Sequence, residues 1–518
     1  MNVAGHYKSP GRSLADLGKP AQIVVLSCIF VLVVLCVTFL LTKADLVTVS
    51  GLIVAGFLVL GLLYWPEAGT VLVIFVIYSN LAVVGYKFHG LPQVLVASVP
   101  LLLGIPLTVY WFVRREKFII DYTWMLMLGF LVALFASLIM SKDVGFGVEW
   151  ITTYVLEGLL LYLIIINVLR KYSTLRSAIW ALLLAGALLG SLTLIQELTH
   201  QYNNNFGGLA QRNTERWEGE SEGGSGVFRE REKVRLANRA GGPIGGPNRY
   251  GQIMLVLLPL GLFRVLDEKD LNRKLLAALC TLFILAGMLL TYSRGAFLCF
   301  GLLVVIVTFM RYIRLSHILV SVVLAVLLIS IASPGYLSRM DSIRNVTALF
   351  TDDASIKADG ATRGRVTEML AAFNAFLDYP LVGVGPGQYS KYYSVDYMAD
   401  PQIAFRQIDK SRRAHTLYFE LAAETGILGI LTFMSIAIYL LFRLWRLRRR
   451  FVNKRPELAN MATAFWLSLV AYLTSAVFLQ LSYQRYYWLL TAFAGATVII
   501  LERSSQADDL DSETTLVT

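Results

Sequence analysis

The sequence predicts an all-α protein that crosses a membrane many times. Of the 518 residues, 56% are hydrophobic and only 16% are charged, and apolar runs recur along nearly the whole chain. Each run is about twenty residues long, which is the length that crosses a bilayer as a helix. This composition excludes a soluble enzyme, a disordered protein and a small secreted domain held by disulfides.

The apolar runs predict about fourteen transmembrane helices. The predicted spans are residues 22–42, 46–64, 69–86, 92–113, 119–140, 147–169, 177–198, 249–266, 275–291, 296–310, 315–333, 416–442, 459–480 and 487–501. Residues 1–21 contain Lys8, Arg12 and Lys19 and lack a small-residue cleavage pattern, so we expect the first span to be retained. The predicted regions are an N-terminal segment 1–21, a bundle 22–198, a loop 199–248, spans 249–333, a large loop 334–415, spans 416–501 and a tail 502–518.

Cationic residues fall in alternate short loops, and this pattern predicts the orientation of the chain. The net charge is +11, and the cations concentrate around Arg114, Arg170, Lys269, Arg311 and the run 443–455. The positive-inside rule places these loops in the cytoplasm, so we expect membrane lipids rather than nucleic acid as the partner of this charge. The two long loops then lie outside, and the acidic tail after Arg503 is predicted to be disordered and cytoplasmic.

Each long loop has a recognisable organisation. The first contains the low-complexity stretch WEGESEGGSG and ends in a Gly/Pro segment. In the second, apolar residues at helical spacing predict a helix over about 362–378 that lies on the membrane surface or packs on the bundle. The turn-rich sequence GVGPGQY and the aromatic run YSKYYSVDY follow it. These tyrosines either stack on sugar faces or form an interfacial aromatic belt.

Four polar segments are predicted at or near the outer face. They are GGPNRYG with Asn248 and Arg249, preceded by Arg239; TYSRG with Arg294; TRGRVTEML with Arg363 and Arg365, followed by YPLVGVGPGQY; and RRAHTLYFELAAETG with Arg412, Arg413, His415, Glu420 and Glu424.

In order and spacing, these segments resemble the O-antigen ligase/polymerase superfamily. Its members include lipopolysaccharide O-antigen ligases, Wzy-type polysaccharide polymerases and protein O-oligosaccharyltransferases. The family pattern has Gly-x-Pro-Asn entering a span, a Ser-Arg-Gly turn, Pro-Leu-x-Gly-x-Gly in a large outer loop, and His-Asn-x-x-Leu before Glu-x-Gly. Here His415 is followed by Thr416 rather than by Asn. The resemblance covers about residues 240–445.

The resemblance implies a GT-C-like helical fold in the bacterial inner membrane, with an active site that faces the periplasm. It implies transfer of a glycan from an undecaprenyl-diphosphate carrier to an acceptor hydroxyl, with inversion at the anomeric carbon. The acceptor would be another lipid-linked glycan, a lipid A core or a protein. A polymerase would work beside a flippase and a chain-length regulator.

This chemistry needs positive charge, because the leaving group is a diphosphate. An arginine is always charged and grips phosphate through two parallel hydrogen bonds. Arg294 is the first candidate and is assigned a catalytic role, and the candidate diphosphate-binding residues are Arg365, Arg249, Arg363, Arg239 and Arg413. We expect arginines instead of a metal ion, and no cofactor, since the four segments offer one histidine and no acidic cluster.

His415 is the candidate catalytic base. It is the only histidine predicted near these arginines, and histidine accepts protons near neutral pH. An alternative role is to orient the acceptor by a hydrogen bond. Asn248, Glu420 and Glu424 are candidate supporting residues; the two glutamates are one helical turn apart, so they share a face and suit pairing with an arginine.

Plainer interpretations stay open for the same residues. An arginine beside a span often reaches lipid headgroups, and Arg363 and Arg365 are placed to pair with Asp359 or Glu368. An alternative function is a lipid-linked sugar transporter or flippase, which many spans also suit. A transporter usually has related halves and polar groups near the membrane centre, whereas here Glu157 is the main deep polar residue.

Overall fold

The computed structural model describes residues 62–213, 239–312, 360–404, 410–481 and 484–517. The helices are α1 (Pro66–Ser79), α2 (Leu81–His89), α3 (Gln93–Ser98), α4 (Gly104–Thr108), α5 (Tyr122–Leu138), α6 (Val144–Tyr154), α7 (Leu161–Val168), α8 (Tyr172–Thr199), α9 (Pro247–Asp267), α10 (Leu271–Leu289), α11 (Arg294–Phe309), α12 (Gly360–Asp378), α13 (Ser394–Met398), α14 (Leu417–Phe451), α15 (Pro456–Ser475) and α16 (Gln484–Val517). There are 3₁₀ turns at Pro100–Leu103 and Phe206–Gly208, and π-helical turns at Val109–Val113, Val155–Leu160 and Tyr389–Tyr393.

Within these ranges, seven helical stretches are long and apolar enough to cross a membrane. They are Gln93–Val113, Val144–Val168, Tyr172–Thr199, Pro247–Asp267, Leu271–Leu289, Leu417–Phe451 and Pro456–Ser475. The pair α1 and α2, bent by 53°, makes an eighth if it counts as one broken span. The protein is therefore a predominantly helical, multi-pass membrane protein, as predicted.

The predicted number of fourteen spans is not confirmed. Predicted spans 22–42 and 315–333, and nearly all of 46–64, lie outside the described residues. Helices α5 and α11 are apolar but have only 17 and 16 residues, and each begins at a side-chain cap. Asp121 accepts a hydrogen bond from the Trp124 amide, and Ser293 accepts one from the Ala296 amide. The last predicted span lies within α16, which is not among the seven.

The helices pack through small residues and a central aromatic cluster. Helix α8 packs on α10, α9 packs on α10 and α15, and α14 packs between α5 and α15. Gly190 of α8 lies so close to α10 that an added Cβ would be 2.1 Å from the Phe283 carbonyl oxygen. Rings of Phe130, Tyr154, Phe433 and Trp488 then join α5, α6, α14 and α16 in edge-to-face contacts.

The first long loop contains a small sheet that the all-α prediction did not include. Strand β1 (Gln211–Asn213) pairs antiparallel with β2 (Arg239–Gly242), with an irregularity after Gln211. The strands come from the two ends of the loop and bring Arg239 to the start of α9.

In the described part of the second long loop, from residue 360, the structure agrees with the predicted helix and turn. The predicted helix 362–378 is confirmed as α12, and it packs on α14. The turn after it is also confirmed: Gly383, Gly385 and Gly387 all have left-handed backbones, with φ of +73°, +109° and +72°. The amide of Val384 donates to the Ala423 carbonyl at 2.9 Å, which fixes this turn onto α14.

The prediction of a disordered C-terminal tail is wrong for the described residues, because α16 continues to Val517. Its acidic residues have partners on the arginine-rich end of α14 and the turn after it. Arg443 pairs with Glu502, Arg450 with Asp509, and Arg455 with Asp508. The neutralised acids let the helix extend where the composition alone suggested disorder.

The described helices have two chemically different ends. At one end, cationic loops pair with acids: Arg114 and Lys171 with Glu67, and Arg176 and Arg264 with Glu268. Helices α9 and α15 run from one end to the other, because Asp267 and Asn460 bond at this end. The start of α9 and the end of α15 lie at the opposite end, where the four polar segments meet.

Candidate functional site

The GGPNRYG segment forms the first turn of α9, with Pro247 at the first helical position. Arg249 is buried and donates through Nη1 to Gln252 Oε1 at 2.7 Å and through Nη2 to the Gln480 carbonyl. Gln252 in turn donates to Ser475 Oγ at 2.8 Å. A polar path thus joins the start of α9 to the end of α15.

Arg239 connects this segment to the Ser-Arg-Gly turn. From β2 it donates to Asn248 Oδ1 at 2.8 Å and to the Thr291 carbonyl at 2.9 Å. Asn248 is therefore oriented by an arginine, which agrees with a supporting role. Arg239 itself has protein partners on both segments, so the contacts support a structural function for it.

The Ser-Arg-Gly turn starts α11. Ser293 caps the helix and Arg294, half-buried, is the first helical residue. Gly295 lies against Phe478, since an added Cβ would be 3.1 Å from its ring. A helix start carries unsatisfied amides and a partial positive charge, so this turn presents a favourable place for an anion.

A small cleft lies where these segments meet. The free space in the cleft, counted together with the open solvent at its mouth, is about 270 Å³. Its walls are Asn248, Gln252, Ser293, Gly295, Ala296, Arg365, Ser475, Phe478 and Leu479. Three of the four polar segments thus contribute to one site: the start of α9, the start of α11 and Arg365 from α12.

The segment that follows His415 is bonded to the end of α15, one residue from the cleft wall. Leu417 donates its amide to the carbonyl of Ala476, the residue after the cleft residue Ser475. His415 itself has a left-handed backbone, with φ of +51°, just before the start of α14. Few residues other than glycine adopt this conformation, so surrounding contacts must hold it.

Glu420 supplies part of that support. Its carboxylate accepts the Ala414 amide at 2.9 Å and Nε of Arg413 at 2.8 Å. Burial acts to lower the pKa of Arg413, but the charges of Glu420 and Glu424 outweigh it and raise the pKa above its ordinary value. Arg413 therefore stays charged and is engaged with Glu420, the kind of pairing the helical spacing suggested.

Glu424 holds the glycine turn in place. Its carboxylate lies near the backbone amides of Gly387 and Tyr389. Its backbone carbonyl accepts from Ser137 Oγ at 2.6 Å and from the Gly385 amide at 3.0 Å. Burial raises the pKa of Tyr389, and the nearby charges of Glu420, Glu368 and Glu424 raise it further, so this phenol stays protonated.

The residues that the sequence analysis missed lie mainly in the turn after α15. The predicted span 459–480 ran through this turn, but the helix ends at Ser475. Carbonyls of Ala476, Gln480 and Leu481 accept from Leu417, Arg249 and Arg413, so the turn joins the first and fourth segments. The available signal was the polar composition of QLSYQR between two apolar runs.

The predicted site residues therefore divide into two groups. Asn248 and Arg365 line the cleft, Arg294 lies between two residues that do, and Arg249 bonds to a third. His415, Arg413, Glu420 and Glu424 lie around the start of α14, outside the cleft walls. Arg363 is half-buried in the first turn of α12. Within the described ranges, no three His, Cys, Asp or Glu side chains cluster as metal ligands would.

The comparison with protein families agrees with the motifs. Residues 279–434 match the family model described as O-antigen ligase. The match contains the Ser-Arg-Gly turn, α12, the glycine turn and the start of α14, whereas Arg239, Asn248 and Arg249 precede it. No curated protein matches the chain.

Proposed function

Because the chain belongs to the O-antigen ligase/polymerase superfamily through residues 279–434, we propose that it is a membrane glycosyltransferase. Its donor is a glycan on undecaprenyl diphosphate, and its acceptor is a hydroxyl group. The observation that supports this most is the cleft, because it combines two helix starts, the Asn248 amide and the Arg365 guanidinium.

The diphosphate of the donor binds in this cleft. Arg365 and Arg294 supply positive charge, and the first turns of α9 and α11 supply backbone amides. As the bond from the anomeric carbon to the diphosphate breaks, negative charge grows on the phosphate oxygens. Donors fixed in advance around that charge stabilise the transition state more than the ground state.

His415 takes the proton of the acceptor hydroxyl. The acceptor oxygen attacks the anomeric carbon from the side opposite the leaving diphosphate, so the configuration inverts. Glu420 accepts the amide before His415, and the turn after α15 accepts the Leu417 amide, so the backbone on both sides of the proposed base is supported. Proton transfer by a positioned side chain contributes about 10²- to 10⁴-fold to a rate.

The site faces the periplasmic side of a bacterial inner membrane. The arginine-rich loops at the other end of the helices support this orientation, because such loops stay in the cytoplasm. The acceptor is a second lipid-linked glycan, a lipid A core or a protein hydroxyl. A polymerase among these would act with a flippase and a chain-length regulator.

The test is turnover by the purified protein in detergent or nanodiscs. The donor is an undecaprenyl-diphosphate-linked oligosaccharide, and the three acceptor classes are supplied separately, each with and without EDTA. We expect turnover that survives EDTA and that falls at least 100-fold in Arg294→Ala and His415→Ala, in line with the loss of a positioned charge or base. A ladder of products would identify a polymerase. Full activity in both variants would refute the site, and lipid flipping without transfer would refute the function.

A further inference from the structure

A buried carboxylate that the sequence analysis gave no functional role lies beside the candidate base. Glu368 belongs to α12, its side chain is 2% exposed, and its Oε2 lies 3.4 Å from Nε2 of His415. We propose that Glu368 is a positioning residue that sets the orientation and protonation of His415. This inference rests on the proposed function, because it assigns Glu368 to the same proton transfer.

The position of Glu368 is fixed by packing on two sides. Ala371, Ala372 and Ala375 follow it on α12 and are fully buried, so the helix lies close against its neighbours. The Tyr389 hydroxyl donates to the backbone carbonyl oxygen of Glu368 at 3.5 Å. This weak bond joins α12 to the segment that follows the glycine turn. A carboxylate on a rigid, buried helix can direct a partner ring in a way that a surface carboxylate cannot.

The backbone on both sides of His415 is already held by hydrogen bonds, so a separate side-chain partner is needed to orient the ring. The Ala414 amide on one side and the Leu417 amide on the other are both bonded to other elements. The orientation of the ring then depends on side-chain contacts, and one of these is with the Glu368 carboxylate. Before substrate binds, contacts of this kind are commonly long, and they shorten in the reacting complex.

The three glutamates near Tyr389 differ in the groups that they contact. Glu420 accepts from the Arg413 side chain and the Ala414 amide, and Glu424 lies near the amides of Gly387 and Tyr389. Both carboxylates are therefore next to backbone amides. Glu368 instead contacts two side chains. Its Oε1 lies 3.9 Å from Nε of Arg412, and its Oε2 lies 3.4 Å from Nε2 of His415.

The proton balance follows from this contact. When this contact shortens in the reacting complex, Nε2 of His415 donates its hydrogen to Glu368, and the lone pair lies on Nδ1. The acceptor oxygen forms its bond to the anomeric carbon, the bond from that carbon to the diphosphate oxygen breaks, and both electrons leave with the diphosphate. The acceptor proton moves to Nδ1, and the resulting imidazolium is stabilised by the Glu368 carboxylate, which stays ionised.

The first experiment is a double-mutant cycle in the turnover assay. We expect Glu368→Gln to lower kcat about 10- to 100-fold with the donor KM within about threefold, since the amide cannot stabilise an imidazolium. In a His415→Gln background, Glu368→Gln is expected to cost less than about twofold. Losses that multiply in the double variant would overturn the proposal, as would strong coupling to Arg412→Ala in place of His415.

The matched control is Asp396→Asn, which removes a carboxylate from an exposed site of the same loop region, on α13. It should keep wild-type kcat. Glu368→Asp should recover more activity than Glu368→Gln, because it restores the charge. Thermal unfolding of each variant shows whether the protein is folded, and an unfolded Glu368→Gln protein would be replaced by Glu368→Asp in the cycle.

A second measurement does not depend on turnover. The chain has five histidines, so carbethoxylation by diethyl pyrocarbonate can be followed at each by mass spectrometry. We expect His415 to react at least threefold more slowly in Glu368→Gln, with the exposed His89 unchanged as the internal reference. An unchanged His415 rate would overturn the contact. If the wild type shows no transfer but this rate falls, the contact stands and the proposed function fails.

Discussion

At the scale of single residues, the structure brings one predicted arginine to the cleft wall and bonds three others to protein acceptors. Arg365 lines the cleft, whereas Arg239, Arg249 and Arg413 each donate to identified protein acceptors. Sequence position alone does not distinguish these roles, because all four lie in polar segments at the ends of helices.

Arg365 gives the sharpest prediction at this scale. We expect Arg365→Ala to lower kcat/KM about 10²- to 10³-fold, because a charge aimed at the leaving diphosphate is lost. Arg365→Lys should recover only part of this, since lysine cannot make the paired contact of a guanidinium. Steady-state transfer kinetics measure both effects.

The control for Arg365 is Arg273→Ala, an exposed arginine at the start of α10, at the far end of the bundle. It should behave as the wild type. An Arg365→Ala enzyme with the same kcat/KM as Arg273→Ala would contradict the assignment of the cleft.

At the scale of elements, the glycine turn and the start of α14 are built to fit each other. Gly426 has φ of +62° and ψ of −164°, a combination that only glycine adopts readily. An added Cβ at Gly426 would be 2.3 Å from the backbone carbon of Leu381, and one at Gly383 would be 2.3 Å from that of Glu424. The two backbones therefore touch without side chains between them.

We expect Gly426→Ala to destabilise the folded protein by about 2–4 kcal/mol through backbone strain and this contact. The lowered midpoint of thermal unfolding in detergent measures it. Gly129→Ala is the matched control, because Gly129 lies within α5 with nothing near its added Cβ. Equal unfolding midpoints for the two variants would show that the backbone of α14 shifts to accommodate the added methyl group without a loss of stability.

A second element contact joins the aromatic run to the membrane bundle. Asp143, between α5 and α6, accepts from Lys391 Nζ at 3.0 Å and from the Tyr392 hydroxyl at 2.8 Å. Bonds from the Phe146 amide, Lys391 and Tyr392 lower the pKa of Asp143 to about 2, from an ordinary value of 3.8. Lys391 also lies over the Phe146 ring, 4.7 Å from its centre.

The depressed pKa sets the pH dependence. The stabilisation by Asp143 is fully present above pH 3.8 and is lost as the pH falls through about 2. We expect Asp143→Asn to lower the unfolding midpoint by no more than about 3 °C at pH 7, as exposed pairs do. This difference should shrink between pH 4 and 2, whereas Asp396→Asn should match the wild type throughout. A pH-independent difference would contradict the role of the charge.

Some of the elements and contacts were predictable from the sequence. The amphipathic spacing predicted α12, and the Pro-Leu-x-Gly-x-Gly sequence predicted the turn, because both depend on residues that are close together in the chain. The contact between Glu368 and His415 was not, because it joins elements far apart in the chain. The helical C-terminus was missed for the same reason: its acids are neutralised by arginines of α14 and the turn after it.

At the scale of the whole molecule, the cationic loops and the cleft lie at opposite ends of the bundle. One end neutralises cationic loops with acids such as Glu67 and Glu268. The opposite end carries the cleft, His415 and the small sheet. This polarity is what the positive-inside pattern predicted, and it makes the orientation of the protein testable.

We expect Asn203→Cys and Lys269→Cys, both at exposed positions, to react from opposite sides of the membrane. In a background without the four native cysteines, an impermeant maleimide added to intact spheroplasts should label position 203 and spare position 269. Labelling of position 269 alone would invert the proposed orientation and place the cleft in the cytoplasm.

The central claim is that the lipid diphosphate binds in the cleft at the start of α11, and a photo-crosslink tests it most directly. A benzoyl-phenylalanine replaces Phe478, which lines the cleft, or Phe309, which is 88% exposed at the far end of α11. Radiolabelled undecaprenyl diphosphate is then added and irradiated. We expect labelling through position 478 that excess unlabelled lipid diphosphate removes, and no such competed labelling through position 309. Equal labelling at both positions, or none at 478, would contradict it.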